Sequence, residues 1–269
     1  MYYDFYGFLE PPFNITPDPR FLFFSAQHRE AFNHLLFGLR ERKGFIQITG
    51  EIGAGKTTLC RALLKQLDDA AYRTALVLNP KMNNTQLLRT ILRELGLPAD
   101  GADRVTLLER LNRFLLAEFE AGRDVVLIVD DAQALTLGAL EQIRLLSNLE
   151  TDQRKLLQIV LIGQPELRAK LARLEQLRQR ITVRYHLRPL KLDETAYYIQ
   201  HRLNVAGSPR PPLFSRWAVR TVQSYSRGVP RLINAVCDKA LLCGYVYQTH
   251  ELGVRHVRRA IRELEGEVA

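Results

Sequence analysis

The chain has 269 residues, 46% of them apolar and 25% charged, with a formal net charge of +9. This suits one large or two modest domains with a sizeable core and permits contact with nucleic acid or an anionic surface, but no dense basic run appears. The three cysteines, Cys60, Cys237 and Cys243, lack paired spacing and the six histidines are scattered. Redox and His/Cys metal chemistry are therefore set aside in favour of buried thiols in a reducing compartment. The N-terminus lacks the basic start and apolar run of a signal peptide, and no apolar stretch approaches the roughly 20 residues that span a bilayer. A cytoplasmic protein is expected, brought to the inner membrane only by a partner.

Residues 1–24 are aromatic and proline-rich. The prolines oppose a helix, so an ordered extended arm is expected, with Phe5, Phe8, Phe13, Phe21, Phe23 and Phe24 requiring burial. It either covers an adenine slot or simply packs on the domain. Ser25 reads as the N-cap of a helix through about Arg42. A short buried strand, Gly44 to Thr49, then leads into Gly50-Glu51-Ile52-Gly53-Ala54-Gly55-Lys56-Thr57, followed by a helix with an apolar stripe from Thr58.

Strand, glycine loop and helix form the context in which this pattern is a phosphate loop. Gly50, Gly53 and Gly55 are expected to allow positive φ and to leave the backbone N–H groups open to phosphate oxygens. Lys56 reaches the outer phosphates, and Thr57 supplies an oxygen to Mg²⁺. The nucleotide-contacting run is thus Gly50, Glu51, Ile52, Gly53, Ala54, Gly55, Lys56, Thr57 and Thr58.

Thr74 to Asn79 is a second strand, and 85–95 and 105–119 are amphipathic helices. This alternation implies crossover units and a parallel sheet. The run Asp124-Val125-Val126-Leu127-Ile128-Val129-Asp130-Asp131 is a buried strand ending in two acids at the carboxyl edge, where parallel sheets place ligands. Asp130 is placed to hold Mg²⁺ and Asp131 to orient or deprotonate a water. A further buried strand, 155–163, ends at Gln164, a polar residue placed to touch the γ-phosphate or water. Leu167 to Leu177 reads as one helix closed by Arg178 and Arg180, before a strand at 181–187. Either arginine is placed to reach a neighbouring subunit's γ-phosphate.

From Asp193 onward only helices are expected, at about 193–205, 214–226, 230–247 and 254–265. They read as a lid. Pro230 suits a first helical turn and points Arg231 off the helix start, where a cation is favoured only beside an anion.

The phosphate loop, the Asp130-Asp131 strand, Gln164, the Arg178/Arg180 pair and Gly228-Val229-Pro230-Arg231 together resemble an AAA+ ATPase. Phe5-Tyr6-Gly7-Phe8, Pro12-Phe13-Asn14-Ile15-Thr16-Pro17-Asp18-Pro19-Arg20-Phe21, Gly163-Gln164-Pro165-Glu166-Leu167 and Pro230-Arg231-Leu232-Ile233-Asn234 resemble, more narrowly, the general secretion pathway protein A family. That family includes MSHA pilus biogenesis ATPases.

The resemblance implies a three-layer αβα P-loop NTPase core with a parallel sheet and a small all-helical lid. The expected domains are an arm at 1–24, a nucleotide-binding domain at 25–190 and a lid at 191–269. It implies ATP or ADP with Mg²⁺, a homo-oligomer, and a membrane-anchored envelope-assembly partner. Asp130 is then the Walker B acid, Gln164 the sensor 1 position, Arg178 or Arg180 a finger acting in trans, and Arg231 sensor 2. Two departures stand out: Asp131 replaces the family's usual Glu, one methylene longer, and the chain stops at Ala269 before the membrane span and peptidoglycan-binding domain of secretion-type members. A short member or a truncated chain is expected on the second count. The expected function is an ATPase that assembles or positions a secretin, pilus or exopolysaccharide exporter. A DNA-binding AAA+ regulator, motivated by Arg255, Arg258, Arg259 and Arg262, is the alternative, with nucleic acid the less favoured partner. A nucleotide-gated switch with weak hydrolysis, motivated by Asp131, is the third reading.

Overall fold

The computed structural model describes residues 2–14, 16, 18–78, 80–152 and 154–267. Ile15 and Pro17 of the arm, Asn79 at the expected end of the second strand, and Met1 and Ala269 at the expected domain limits lie outside the described residues. The chain divides into two compact units, one of Arg29–Gly50 and Leu59–Leu187, the other of Met1–His28, Glu51–Thr58 and Arg188–Ala269.

The first unit is built on five parallel strands: β1 (Phe45–Gly50), β2 (Tyr72–Val77), β3 (Asp124–Val129), β4 (Leu157–Gly163) and β5 (Ile181–Leu187). Their spatial order is β2-β3-β4-β1-β5. Every residue of β1 and β4 is buried, as are residues 125–129 of β3. Continuous apolar runs are what a parallel sheet covered on both faces demands. Helix α2 (Ala26–Arg40) enters this unit from Arg29, and α3 (Lys56–Gln66) from Leu59. The connecting helices α4 (Asn84–Glu94), α5 (Arg104–Glu120) and α6 (Leu137–Leu146) start on side-chain caps. Asn83, Asp103 and Thr136 accept from the N–H groups of Gln86, Thr106 and Ala139. Each cap satisfies a donor that the first helical turn leaves open.

The single helix expected over 167–177 is two, α7 (Glu166–Ala172) and α8 (Glu175–Arg180). Leu174 leaves helical geometry (φ −117°, ψ 76°), and its side chain packs against the buried core of this unit. Arg178 and Arg180 therefore lie within α8 and do not follow its end.

The second unit is mostly helical, with α1 (Tyr2–Tyr6), α9 (Leu192–Val205), α10 (Arg216–Ser226), α11 (Pro230–Val246) and α12 (Val254–Leu264). Two short strands, β6 (Leu213–Phe214) and β7 (Glu251–Leu252), pair in parallel, so this region is not helical throughout. The arm is not wholly extended either, because its first residues form α1. Tyr2 and Tyr6, four apart, share one helix face and both bury. The Tyr6 hydroxyl donates to the carbonyl of Leu241 at 3.2 Å and to that of Thr249 at 3.1 Å, while the Tyr2 hydroxyl donates to Asp238.

The arm's aromatics and the following helices share one core, in which Tyr6, Phe8, Phe13 and Phe21 meet Tyr198, Leu203 and Leu241. Phe24, expected to bury, is 38% exposed. Arg202 of α9 clamps the arm. Its guanidinium donates to the carbonyls of Pro12 and Asn14 and lies 4.5 Å from the centre of the Phe21 ring. Burial pulls its pKa below the ordinary arginine value, the expected direction for a desolvated cation.

Candidate nucleotide site

Parallel strands deliver their carboxyl ends to one edge, and the pairing of Thr49 with Gly163 and of Val129 with Leu161 aligns those ends. Gly50, Asp130 and Gln164, which end or follow β1, β3 and β4, therefore share the carboxyl edge of the sheet. The phosphate-loop sequence leaves β1 from that edge.

Asp130 is 3% exposed, and its backbone N–H extends the ladder to Val77 O at 3.0 Å. Its Oδ1 accepts from the N–H of Asp131 at 2.9 Å. Asp131 itself is exposed and sits in the left-handed region (φ 52°, ψ 36°), a conformation rare outside glycine that turns its side chain away from the strand direction. Asp131 Oδ1 accepts from Gln133 Nε2 at 3.0 Å, and the N–H of Gln164 donates to Gln133 Oε1 at 3.0 Å. Cys60, on α3, is buried; desolvation, with the Asp130 carboxylate adding to it, pushes its thiol up to about 12. All three cysteines are buried and free, as expected of inert core thiols.

Arg178 and Arg180 stand at the other edge. Both precede β5 on α8, so the seven-residue strand, about 20 Å long, separates them from the carboxyl edge. Arg180 is half-buried and donates to Ser147 Oγ at 2.8 Å. Arg178 is exposed, and its carbonyl accepts from the Arg184 side chain.

In the other unit, residues 51–58 pack on helices that come much later in the chain. Gly53 and Gly55 have φ of +79° and +93°, as expected, but Gly50 is the last residue of β1, paired with Leu187, and is absent from the positive-φ glycines. Sheet pairing, which requires extended backbone, overrides the turn conformation expected there. A Cβ on Gly53 would lie 2.4 Å from Arg231 Cβ, so only glycine lets the loop and the start of α11 approach this closely. Pro230 occupies the first turn of α11 as expected, and the N–H of Arg231 donates to Gly53 O at 3.3 Å.

Lys56, 8% exposed, donates from Nζ to Glu51 O at 2.9 Å. Thr57 and Thr58 are half-buried, whereas Glu51 and Ile52 are exposed. Buried Ala54 offers its carbonyl to His28 Nε2 at 3.1 Å. The other ring nitrogen of His28 meets Ser25 Oγ at 2.8 Å. Nε2–H donating to Ala54 and Nδ1 accepting from Ser25 is the neutral tautomer that satisfies both. Burial lowers the His28 pKa, against the Ala54 bond and the Glu194 charge that raise it. His28 and Gln133 were not among the sequence-derived site residues. Gln133 directly follows Asp130-Asp131-Ala132 and was within reach of inspection, but nothing in the sequence near His28 relates it to Ala54.

A triphosphate and Mg²⁺ fit the residues present. Glycines at 53 and 55 hold side chains off the loop, a buried lysine folds over it, and Thr57 lies in the first turn of α3. Among the described residues no cluster of three His, Cys, Asp or Glu could hold a metal alone. The Asp130 carboxylate, considered within its own unit, is a donor type that suits Mg²⁺, an ion that takes its remaining ligands from phosphate and water.

A family model described as an AAA domain matches residues 39–171. General secretion pathway protein A of Aeromonas hydrophila is 46% identical over 99% of the chain. The chain thus carries an AAA domain and is similar to general secretion pathway protein A along nearly its whole length. It spans about half the length of that relative, 49%. Solved structures share the AAA+ fold at low identity. Drosophila ORC bound to DNA has a TM-score of 0.69 and 18% identity, covering 94% of this chain and 64% of that one. Cdc6p from Pyrobaculum aerophilum has a TM-score of 0.67 and 16% identity, covering 97% and 70%. The Aeropyrum pernix ORC2 protein (ADPNP-ADP complexes) has a TM-score of 0.65 and 18% identity, covering 91% and 68%. This AAA fold, three-layered around a parallel sheet, implies nucleotide binding.

Proposed function

We propose that the chain is a Mg-dependent ATP hydrolase that works as an oligomer and drives assembly or positioning of an envelope machine. The observation that carries the hydrolase reading is the shared carboxyl edge, where β1 runs into the phosphate-loop sequence and β3 is followed directly by Asp130 and Asp131. The amides of residues 51–57 and Lys56 bind and orient the phosphates. By the sequence pattern, Thr57 and Asp130 would each offer an oxygen to Mg²⁺, which when bound would neutralise phosphate charge. Asp131 takes a proton from, or orients, the attacking water. Its side chain is one methylene shorter than Glu, so slow turnover is expected. Arg231 contributes a cation beside the loop from the start of α11.

Arg178 and Arg180 stand a strand length from their own carboxyl edge and serve the site of another copy. Exposed Arg178 is the better finger, because Arg180 is engaged with Ser147. The envelope role rests on the identity to general secretion pathway protein A. No helix among the described residues is long and apolar enough to cross a membrane.

ATP turnover measured against protein concentration tests this. Specific activity should rise cooperatively, vanish on chelating Mg²⁺ and be lost in Arg178→Ala with nucleotide binding kept. Turnover per chain independent of concentration would remove the shared site, and absence of turnover at every concentration would leave the nucleotide-gated switch. A DNA-binding role is favoured by one observation only: Arg255, Arg258 and Arg262 of α12 are exposed. It requires duplex binding with a steep salt slope.

A further inference from the structure

We propose that Gln133 is a positioning residue for hydrolysis, a bridge that sets the Asp131 carboxylate and couples it to the loop carrying Gln164. One side-chain amide serves both ends with matched polarity. Its Nε2 donates to Asp131 Oδ1 and its Oε1 accepts the N–H of Gln164, each at 3.0 Å. An amide alone does this: a carboxylate at position 133 keeps the acceptor but loses the donor.

The bridge is held at both of its feet. A Cβ on Gly163 would lie 2.8 Å from Gln133 Oε1, so a glycine just before Gln164 is what lets the amide come in against β4. On the other side, Lys170 of α7 donates to the carbonyl of Leu135 at 2.9 Å and to that of Gln133, which pins the turn between β3 and α6. Asp131 needs such a partner because its left-handed backbone gives its side chain no support from the strand. A shift of the Gln164 backbone thus pulls on the carboxylate through one side chain. Asp131, shorter than a glutamate, depends more on being held in place.

The inference rests on Asp131 and Gln164 being hydrolysis residues, and the test separates the two. Wild type, Gln133→Ala and Gln133→Glu are compared by turnover number, by affinity for a fluorescent ATP analogue, and by hydrogen exchange at the Gln164 amide in nucleotide-free protein. In Gln133→Ala the Gln164 amide should exchange faster and turnover should fall at least about tenfold, with affinity within twofold of wild type. In Gln133→Glu the amide should stay protected while turnover falls as far, because the acceptor remains and the donor to Asp131 is gone. Unchanged exchange in Gln133→Ala, wild-type turnover in either variant, or affinity falling in step with turnover would overturn the proposal. A wild type that binds the analogue without turnover would overturn the hydrolase reading instead, leaving the exchange comparison to judge the bridge.

Discussion

The two units hold their polar groups in different ways. In the sheet unit, position follows from topology: parallel strands end together, so Asp130 and Gln164 reach one edge whatever the loops do, and Gln133 refines the arrangement over a few ångströms. In the helical unit, residues 51–58 take their supports from far along the chain. The N–H of Arg231 reaches Gly53, His28 reaches Ala54, and Arg202 clamps the arm at Pro12 and Asn14. Grip on phosphate should therefore be sensitive to the arm and lid, and turnover to the sheet edge.

The largest expected effect tests how firmly the helical unit is built. Gly228 has φ +78°, and a Cβ there would lie 2.0 Å from the Leu190 carbonyl oxygen, too close for any side chain. Gly228→Ala should cost about 3 kcal/mol or more, read as a lower unfolding midpoint in urea. A change under 1 kcal/mol would mean that the α10–α11 turn yields easily and that the two units do not differ in the way described.

The next sharpens the division of labour. Lys56→Ala should weaken nucleotide binding roughly 10- to 100-fold, since a charged hydrogen bond to phosphate is lost. Asp130→Asn should instead leave metal-free nucleotide binding near wild type and abolish the gain from added Mg²⁺. Titrations with and without chelator read both, and equal losses in the two variants would erase the distinction.

The smallest concerns His28. Losing one neutral hydrogen bond to the loop, His28→Ala should weaken nucleotide binding about fivefold, and His28→Gln, which restores an N–H donor, should recover most of it. Folded His28 has a pKa below its unfolded value of 6.5, so below that pH the unfolded chain binds the extra proton. Its contribution to stability is complete above about pH 6.5 and is lost as pH falls further toward the lowered folded value. Burial lowers His201 and His256 too, so His28→Gln should flatten the loss of stability between pH 7 and 5 without removing it. Identical slopes in denaturation midpoints would show that His28 is not held neutral.

Much of the sheet unit, and of the loop that follows β1, was readable in advance, because the signals are local. Five apolar residues followed by Asp130-Asp131 can hardly be anything but a buried strand with acids at its tip. Glycines, lysine and threonine at 53–57 between strand and helix carry their own geometry. The failures were also physical. Prolines hid α1, whose Tyr2 and Tyr6 are helical because Asp238, Leu241 and Thr249 receive their hydroxyls. The break at Leu174 answers to a core that helical periodicity does not display. Gly50 obeyed the ladder it joins, not the motif it opens.

By itself, then, the amino-acid order determined the five strands of the parallel sheet, the glycine loop after the first of them, the acids that follow β3 and the mainly helical character of the last third, because hydrophobic period, glycine spacing and caps act over a few residues. Only the tertiary structure decided that the arm shares a core with the C-terminal helices, that His28 and Arg231 brace the loop, that Gln133 joins Asp131 to Gln164, and that Arg178 and Arg180 stand at the far edge of the sheet. Those contacts join residues distant in sequence. They exist because apolar surface and polar groups must find partners, and which partner each finds depends on what folding brings near.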